Sequence, residues 1–208
     1  MSKPSGKLFL VRHGETEGQS SIRYHGSTDV PLSEPGRAQM RLAARTIDAR
    51  RDGRPFSRVF SSPLVRASEG ARIVTGEAGS IVTIEEFAEV HFGLFEGLTA
   101  SEIRERYPEH FAIWNADRLA PDYTYPEGES RAGFAARVER GLDRLLAIWT
   151  PGSDKDALLV AHRGVIRAIV RKLIRQEAIV ELGSIQILEF DRVWNAVALD
   201  VIDHLNNS

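Results

Sequence analysis

Apolar residues in this chain fall into short blocks separated by longer stretches of helical period. Residues 7–11, Lys-Leu-Phe-Leu-Val, form a compact apolar block that reads as a buried strand. Ser33 has the chemistry to cap a helix with Pro35 in its first turn, running toward Arg51. Residues 58–60 predict a second strand, closed by Ser61-Ser62-Pro63, with a helix from Leu64 to about Thr75. The β-branched run 81–84 predicts a third strand. Thr99-Ala100-Ser101-Glu102 has the capping-box pattern and predicts a short helix ending near Tyr107-Pro108. Residues 108–126, with Phe111, Trp114 and Tyr123, read as an insertion over the core, and Tyr107, Phe111 and Trp114 as packing it in preference to lining a substrate cap. Ser130 opens a long amphipathic helix with Phe134, Val138, Leu142 and Leu145 on one face. Residues 157–161 predict a fourth buried strand, His162-Arg163-Gly164 open a helix to about Arg175, and residues 185–188 and 196–201 complete the sheet.

Strands alternating with helices of this length imply βαβ units. The expected fold is therefore an α/β three-layer sandwich, with a mostly parallel central sheet, helices on both faces and a small cap insertion. Residues 1–208 are expected to form one domain, with about 93–128 as the cap. Candidate chemistry stands where strands hand over to helices: His13 after the first, Ser61 after the second, His162 after the fourth. In open α/β sheets that edge is where ligands bind.

Composition narrows the chemistry. The absence of cysteine excludes disulfides, thiolate catalysis and Cys-ligated zinc. A net charge of −2 provides no global field for nucleic acid or an anionic membrane, so neither is expected as a partner. An anionic substrate must instead be drawn by local basic residues. The apolar stretch before Arg12 is too short for a signal-peptide core or a membrane span, which makes a cytoplasmic address the expectation. The sequence leaves a homodimer open.

The segment Leu10-Val11-Arg12-His13-Gly14-Glu15-Thr16 resembles the signature of the histidine phosphatase superfamily, phosphoglycerate mutase-like branch 1. Further blocks follow in order: residues 26–39, Ser61-Ser62-Pro63-Leu64-Val65-Arg66-Ala67, Glu89-Val90-His91-Phe92-Gly93 with Glu96-Gly97, Gly128-Glu129-Ser130, and residues 160–167 around His162. One Arg-His-Gly triplet is weak evidence; the ordered series is strong. The sequence departs from the family's pattern at Gly18-Gln19, where Trp-Asn is frequent, at Gly70, where Thr is, and at Arg163, where Gly is. These positions bear on the pocket and the substrate rather than on the core catalytic groups.

The residue types fit phosphoryl transfer independently of the resemblance. A phosphoryl dianion asks for fixed positive charge, and Arg12 and Arg66 are guanidinium forks at two strand ends. Taken alone, Arg66 reads as a solvated helix residue; its place after Ser-Ser-Pro-Leu argues for function. His13 is the candidate nucleophile, its other ring nitrogen expected to donate to a backbone carbonyl; the resemblance implies the same role. His162 is expected to face it, both rings neutral in the empty site, and to protonate when phosphate binds. Glu89 is the candidate general acid, chosen over Glu85, Glu86 and Glu96 by the Phe-Gly and Glu-Gly that follow it. The catalytic set is thus His13, Glu89, His162, Arg12 and Arg66, and the substrate-binding set is Arg12, Gln19, His25, Gly26, Arg66 and His162. No cofactor and no metal are expected. His91 reads as structural, and the arginines of residues 137–144 and 167–175 as solvated faces.

The expected activity is hydrolysis of a phosphomonoester, the partner being a small phosphorylated metabolite. Mutase-type phosphoryl transfer is the alternative, but it requires shielding the phosphohistidine from water. Cofactor-dependent mutases of the family generally carry longer insertions and a longer tail. A metal-dependent hydrolase built on His13, Glu89, His91 and His162, and a non-catalytic phospholigand-binding protein, are further alternatives. The first lacks HExxH or a dense carboxylate cluster.

Overall fold

A computed structural model describes residues 6–19, 21–51, 55–76, 79–151 and 155–205; the first five residues of the N-terminal stretch read for targeting signals lie outside them. The elements are β1 (Lys7–Arg12), α1 (Glu34–Arg50), β2 (Phe56–Ser61), α2 (Val65–Thr75), β3 (Ile81–Thr83), α3 (Ala100–Arg106), α4 (Pro108–Asp117), α5 (Arg131–Ile148), β4 (Asp156–Ala161), α6 (Arg163–Ile174), β5 (Ile185–Asp191) and β6 (Val193–Val201). The six strands make one sheet in the order β3-β2-β4-β1-β5-β6. β3, β2, β4 and β1 run parallel, whereas β5 and β6 are antiparallel to their neighbours.

The central strands are buried along nearly their whole length because helices cover both faces. β4 is buried at every residue and β1 at its four middle ones, as the unbroken apolar runs require of a parallel sheet interior. One face packs Leu8, Leu10, Phe60 and Leu159 against Leu142 and Leu145 of α5 and Ile166 and Ile169 of α6. The other packs Phe9, Val11 and Leu158 against Met40 and Ile47 of α1 and Ala67 and Ala71 of α2. Each such large side chain contributes about 1.5–3 kcal/mol relative to exposure.

Local signals act as read. Ser33 accepts the Gly36 N–H at the start of α1, and Ser130 accepts the Gly133 N–H at the start of α5. Thr99 and Glu102 form a complete capping box on α3. The expected insertion is more regular than its sequence suggested. Tyr107 ends α3, and Pro108 is the first residue of α4, where its missing N–H costs nothing. Phe95, Ile103, Trp114 and Tyr123 form a small core there, with Tyr107 and Phe111 packed against it. Among the described residues no helix is long and apolar enough to cross a membrane.

The topology sets the site. β1 and β4 are hydrogen-bonded neighbours with Arg12 opposite Ala161, so the residues that follow them, His13 and His162, emerge side by side. β2 flanks β4 with Ser61 opposite Val160, which brings Ser62 to the same edge.

Candidate active site

The two histidine rings lie with centroids 5.1 Å apart at an interplanar angle of 62°. His13 Nδ1 is 2.7 Å from the Gly14 carbonyl oxygen, which fixes a proton on Nδ1 and leaves the Nε2 lone pair free. His162 has the opposite arrangement. Its Nδ1 accepts from Arg66 Nε at 3.3 Å, so its Nε2 carries the proton and donates to Ser62 Oγ at 2.7 Å.

Arg66 and His162 are fully buried, and His13 and Glu89 retain 5% and 9% exposure. Burial, then the charges of Arg66 and Arg12, hold the His13 imidazolium well below its ordinary pKa. Burial, Arg66, His13 and Arg12 act in the same direction on His162. Both rings are therefore neutral near pH 7, the form a nucleophile needs.

This neutrality affects stability. The unfolded chain takes up a proton at each histidine below about pH 6.5, whereas the folded site refuses it, so stability is lost as pH falls through that value. Each histidine adds a slope of up to about 1.4 kcal/mol per pH unit. Burial shifts His25 and His204 downward as well. The urea midpoint should fall between pH 7.5 and pH 5.5, and fall less in the double variant His13→Gln/His162→Gln. A midpoint equally steep in both proteins would remove the buried neutral pair as its cause.

Arg66, expected to present its fork to a ligand, spends most of it on protein. Its guanidinium donates to the carbonyls of Thr28 (2.8 Å), His25 (3.0 Å) and Gly26 (2.6 Å) besides His162. The loop that offers these carbonyls is held from its other side by Glu96, which accepts the N–H groups of Gly26, Ser27 and Thr28. Burial pushes the Glu96 carboxyl up, but these bonds and the Thr28 hydroxyl bring it below its ordinary value. Glu96 is thus the anchor of this loop. Among the substrate-binding candidates, His25 is half-buried with Nδ1 3.3 Å from Thr16 Oγ1, Gly26 is buried, and Gln19 is exposed at positive φ.

Glu89 is seated on backbone donors. Val90 N–H reaches Oε1 at 3.0 Å, and Gly164 N–H, in the first turn of α6, reaches Oε2 at 3.0 Å. A Cβ at Gly164 would lie 2.5 Å from Glu89 Oε1, so this seat needs glycine. The Glu89 charge acts on both Arg12 and Arg66, partly opposing the effect of their burial.

Several supporting residues escaped the sequence reading. Arg137, expected on a solvated face, pairs with Glu129 through Nε (3.0 Å) and Nη2 (2.8 Å). The same guanidinium donates to the carbonyls of Glu86 and Ala88, just ahead of Glu89. Val180 adopts φ +60°, strained for a β-branched residue, and its carbonyl accepts from Arg12 Nη1 (3.0 Å) and Arg163 Nε (3.2 Å). Asp200 fixes that turn by accepting the N–H groups of Ile179 and Val180. Burial and then Arg163 lower the Arg12 pKa to about 10, and Arg12 Nε is buried without an acceptor. His91 is exposed, and among the described residues no three His, Asp or Glu side chains gather as a metal-binding group.

The chain is 35% identical over 191 residues to the bifunctional protein Rv2228c of Mycobacterium tuberculosis, covering 88% of this chain and 50% of that one. It therefore spans about half the length of that relative. It is 34% identical to the adenosylcobalamin/alpha-ribazole phosphatase of Salmonella typhimurium, over 83% of this chain and 81% of the relative. The crystal structure of the alpha-ribazole phosphatase from Shigella flexneri superposes with a TM-score of 0.79 at 25% identity, covering 93% and 96% of the two chains. The model of the histidine phosphatase superfamily (branch 1) matches residues 8–197, which include Arg12, His13, Arg66, Glu89 and His162, and the chain belongs to that family.

Proposed function

We propose that this protein hydrolyses small phosphomonoesters through a phosphohistidine on His13, the described residues acting as one catalytic unit with about 93–128 as its cap. The observation that carries the reading is the His13 tautomer: Nδ1–H on the Gly14 carbonyl and a free Nε2 lone pair beside the buried Arg66 and the half-buried Arg12. The substrate phosphoryl group meets the Arg12 guanidinium, held in place by its Nη1 bond to the Val180 carbonyl, and Arg66 lends its charge.

The His13 Nε2 lone pair attacks phosphorus as the P–O bond to the alcohol breaks, and the Glu89 carboxyl gives its proton to the departing oxygen. Water then attacks phosphorus while the Glu89 carboxylate takes a proton from it. The P–N bond breaks with its electron pair returning to Nε2, and inorganic phosphate leaves. His162 stabilises the phosphoryl oxygens by exchanging its Arg66 Nε contact for a phosphoryl oxygen once its ring protonates.

Phosphate release from p-nitrophenyl phosphate, in parallel with isomerisation of phosphoglycerate, tests this reading. Release without isomerisation, undiminished by EDTA, is the expected result. Isomerisation that outpaces release would instead establish a mutase, and loss in EDTA restored by a divalent metal would establish a metal-dependent hydrolase.

A further inference from the structure

Beside Glu89 lies a cavity of about 250 Å³ whose chemistry differs from that of the histidine pocket. This is below the roughly 300–1,000 Å³ of a whole small-molecule site, so it holds one part of a substrate. Its walls include Val90, Phe92, Tyr125 and Phe134, with Leu119, 75% exposed, among the lining residues. Two flat rings meet in this wall, Phe92 and Tyr125, edge to face with centroids 5.0 Å apart.

The remainder of the lining is cationic. Arg131, Arg163, Arg167 and Arg171 contribute to it, and no carboxylate does. Glu177 pairs with Arg167 and Arg171 together, so one carboxylate serves two guanidinium groups. Arg131 spends Nη1 on the Arg118 carbonyl, and its buried Nε has no acceptor. The cavity therefore pairs an apolar, ring-lined wall with unmatched positive charge.

Its position relates it to the reaction. Val90 and Gly164, whose N–H groups seat the Glu89 carboxylate, both line it, as does Arg163, which shares the Val180 carbonyl with Arg12. The oxygen that Glu89 protonates belongs to the alcohol, and this cavity begins at the two residues that seat Glu89.

We infer that the cavity receives the leaving alcohol, and that the preferred alcohol has a flat apolar ring carrying a second anionic group. The inference rests on the phosphatase reading and adds a substrate class to it. The ring packs against Phe92, Tyr125 and Phe134. The second anion meets Arg131 and Arg167, where charge-assisted hydrogen bonds are strong.

Three esters separate the two requirements: phenyl phosphate has the ring alone, 3-phosphoglycerate the second anion alone, and 4-carboxyphenyl phosphate both. The expected kcat/KM for 4-carboxyphenyl phosphate exceeds that of either other ester by about tenfold, one charge-assisted contact's worth. Arg131→Ala and Arg167→Gln should each remove most of that advantage while leaving phenyl phosphate within about twofold. Equal kcat/KM for phenyl and 4-carboxyphenyl phosphate, a preference for 3-phosphoglycerate, or a carboxylate preference that survives both variants would overturn this inference and leave the phosphatase reading standing. Failure to release phosphate from any ester, p-nitrophenyl phosphate included, would overturn both.

Discussion

His13→Ala is expected to lower kcat for every phosphomonoester by about 10⁴-fold or more, the scale seen when a covalent nucleophile is removed. No other described group takes its place. His162, the ring beside it, has Nδ1 engaged by Arg66 and Nε2 by Ser62, so neither lone pair nor direction suits attack on phosphorus. The fold should survive. His13 follows β1, whose hydrogen bonds to β4 and β5 are backbone bonds, and its own N–H donates to the Ala161 carbonyl whatever side chain it carries. The variant should even hold its urea midpoint better than wild type near pH 5.5, because one buried histidine that refuses a proton is gone. Quenched reactions with ³²P-labelled ester should trap an acid-labile phosphoprotein in wild type and none in the variant. Retention of a few per cent of kcat by a folded His13→Ala enzyme would sink the covalent route.

The residues this experiment turns on were readable before the structure, and the reason is physical. A run of four apolar residues, 8–11, is too short for a buried helix and reads as a central strand, and a polar Arg-His-Gly directly after it then stands at the sheet edge. The same logic placed His162; at the end of β2 it named Ser61, which is the last residue of that strand, whereas the hydroxyl that meets His162 is that of Ser62, one residue on. Capping chemistry is local too, which is why Ser33, Thr99 and Ser130 open helices as read. What remained hidden was direction. Arg66 was visible as a cation, but nothing in the sequence shows that its fork turns to the carbonyls of residues 25–28. Arg137 looked solvated because its partners, Glu129 and the carbonyls ahead of Glu89, are separated from it by 8 and about 50 residues. The Val180 carbonyl has no side-chain signature, and Asp200, which fixes its turn, sits in a strand at the far end of the chain. Helix α4 was missed for a different reason. Its buried residue is Trp114 alone, so no apolar stripe of helical period announces it, and Pro108 reads as the end of α3 as readily as the start of α4.

Glu89→Gln should separate the two halves of the reaction. The first half needs a proton only when the alcohol is a poor leaving group; p-nitrophenolate departs without one. The second half needs a base for water whatever ester came before. With p-nitrophenyl phosphate the variant should release close to one equivalent of p-nitrophenol per active site and then slow, its phosphohistidine waiting for unactivated water. With an alkyl phosphate there should be no burst, because formation of the phosphoenzyme is itself slowed by about 10²–10⁴-fold. The substitution is nearly isosteric, and the amide oxygen keeps one of the two backbone donors that seat the side chain, Val90 N–H or Gly164 N–H. Glu96→Gln is the informative control. Its carboxylate gathers the N–H groups of residues 26–28, the loop that in turn holds Arg66, so its loss should lower the urea midpoint and raise KM without producing a burst. A burst from Glu96→Gln, or alkyl phosphate turnover near the wild-type rate in Glu89→Gln, would move the acid away from Glu89. If the burst and its leaving-group dependence appear in Glu89→Gln alone, one carboxyl group serves both half-reactions, as its seat between Val90 and the first turn of α6 suggests.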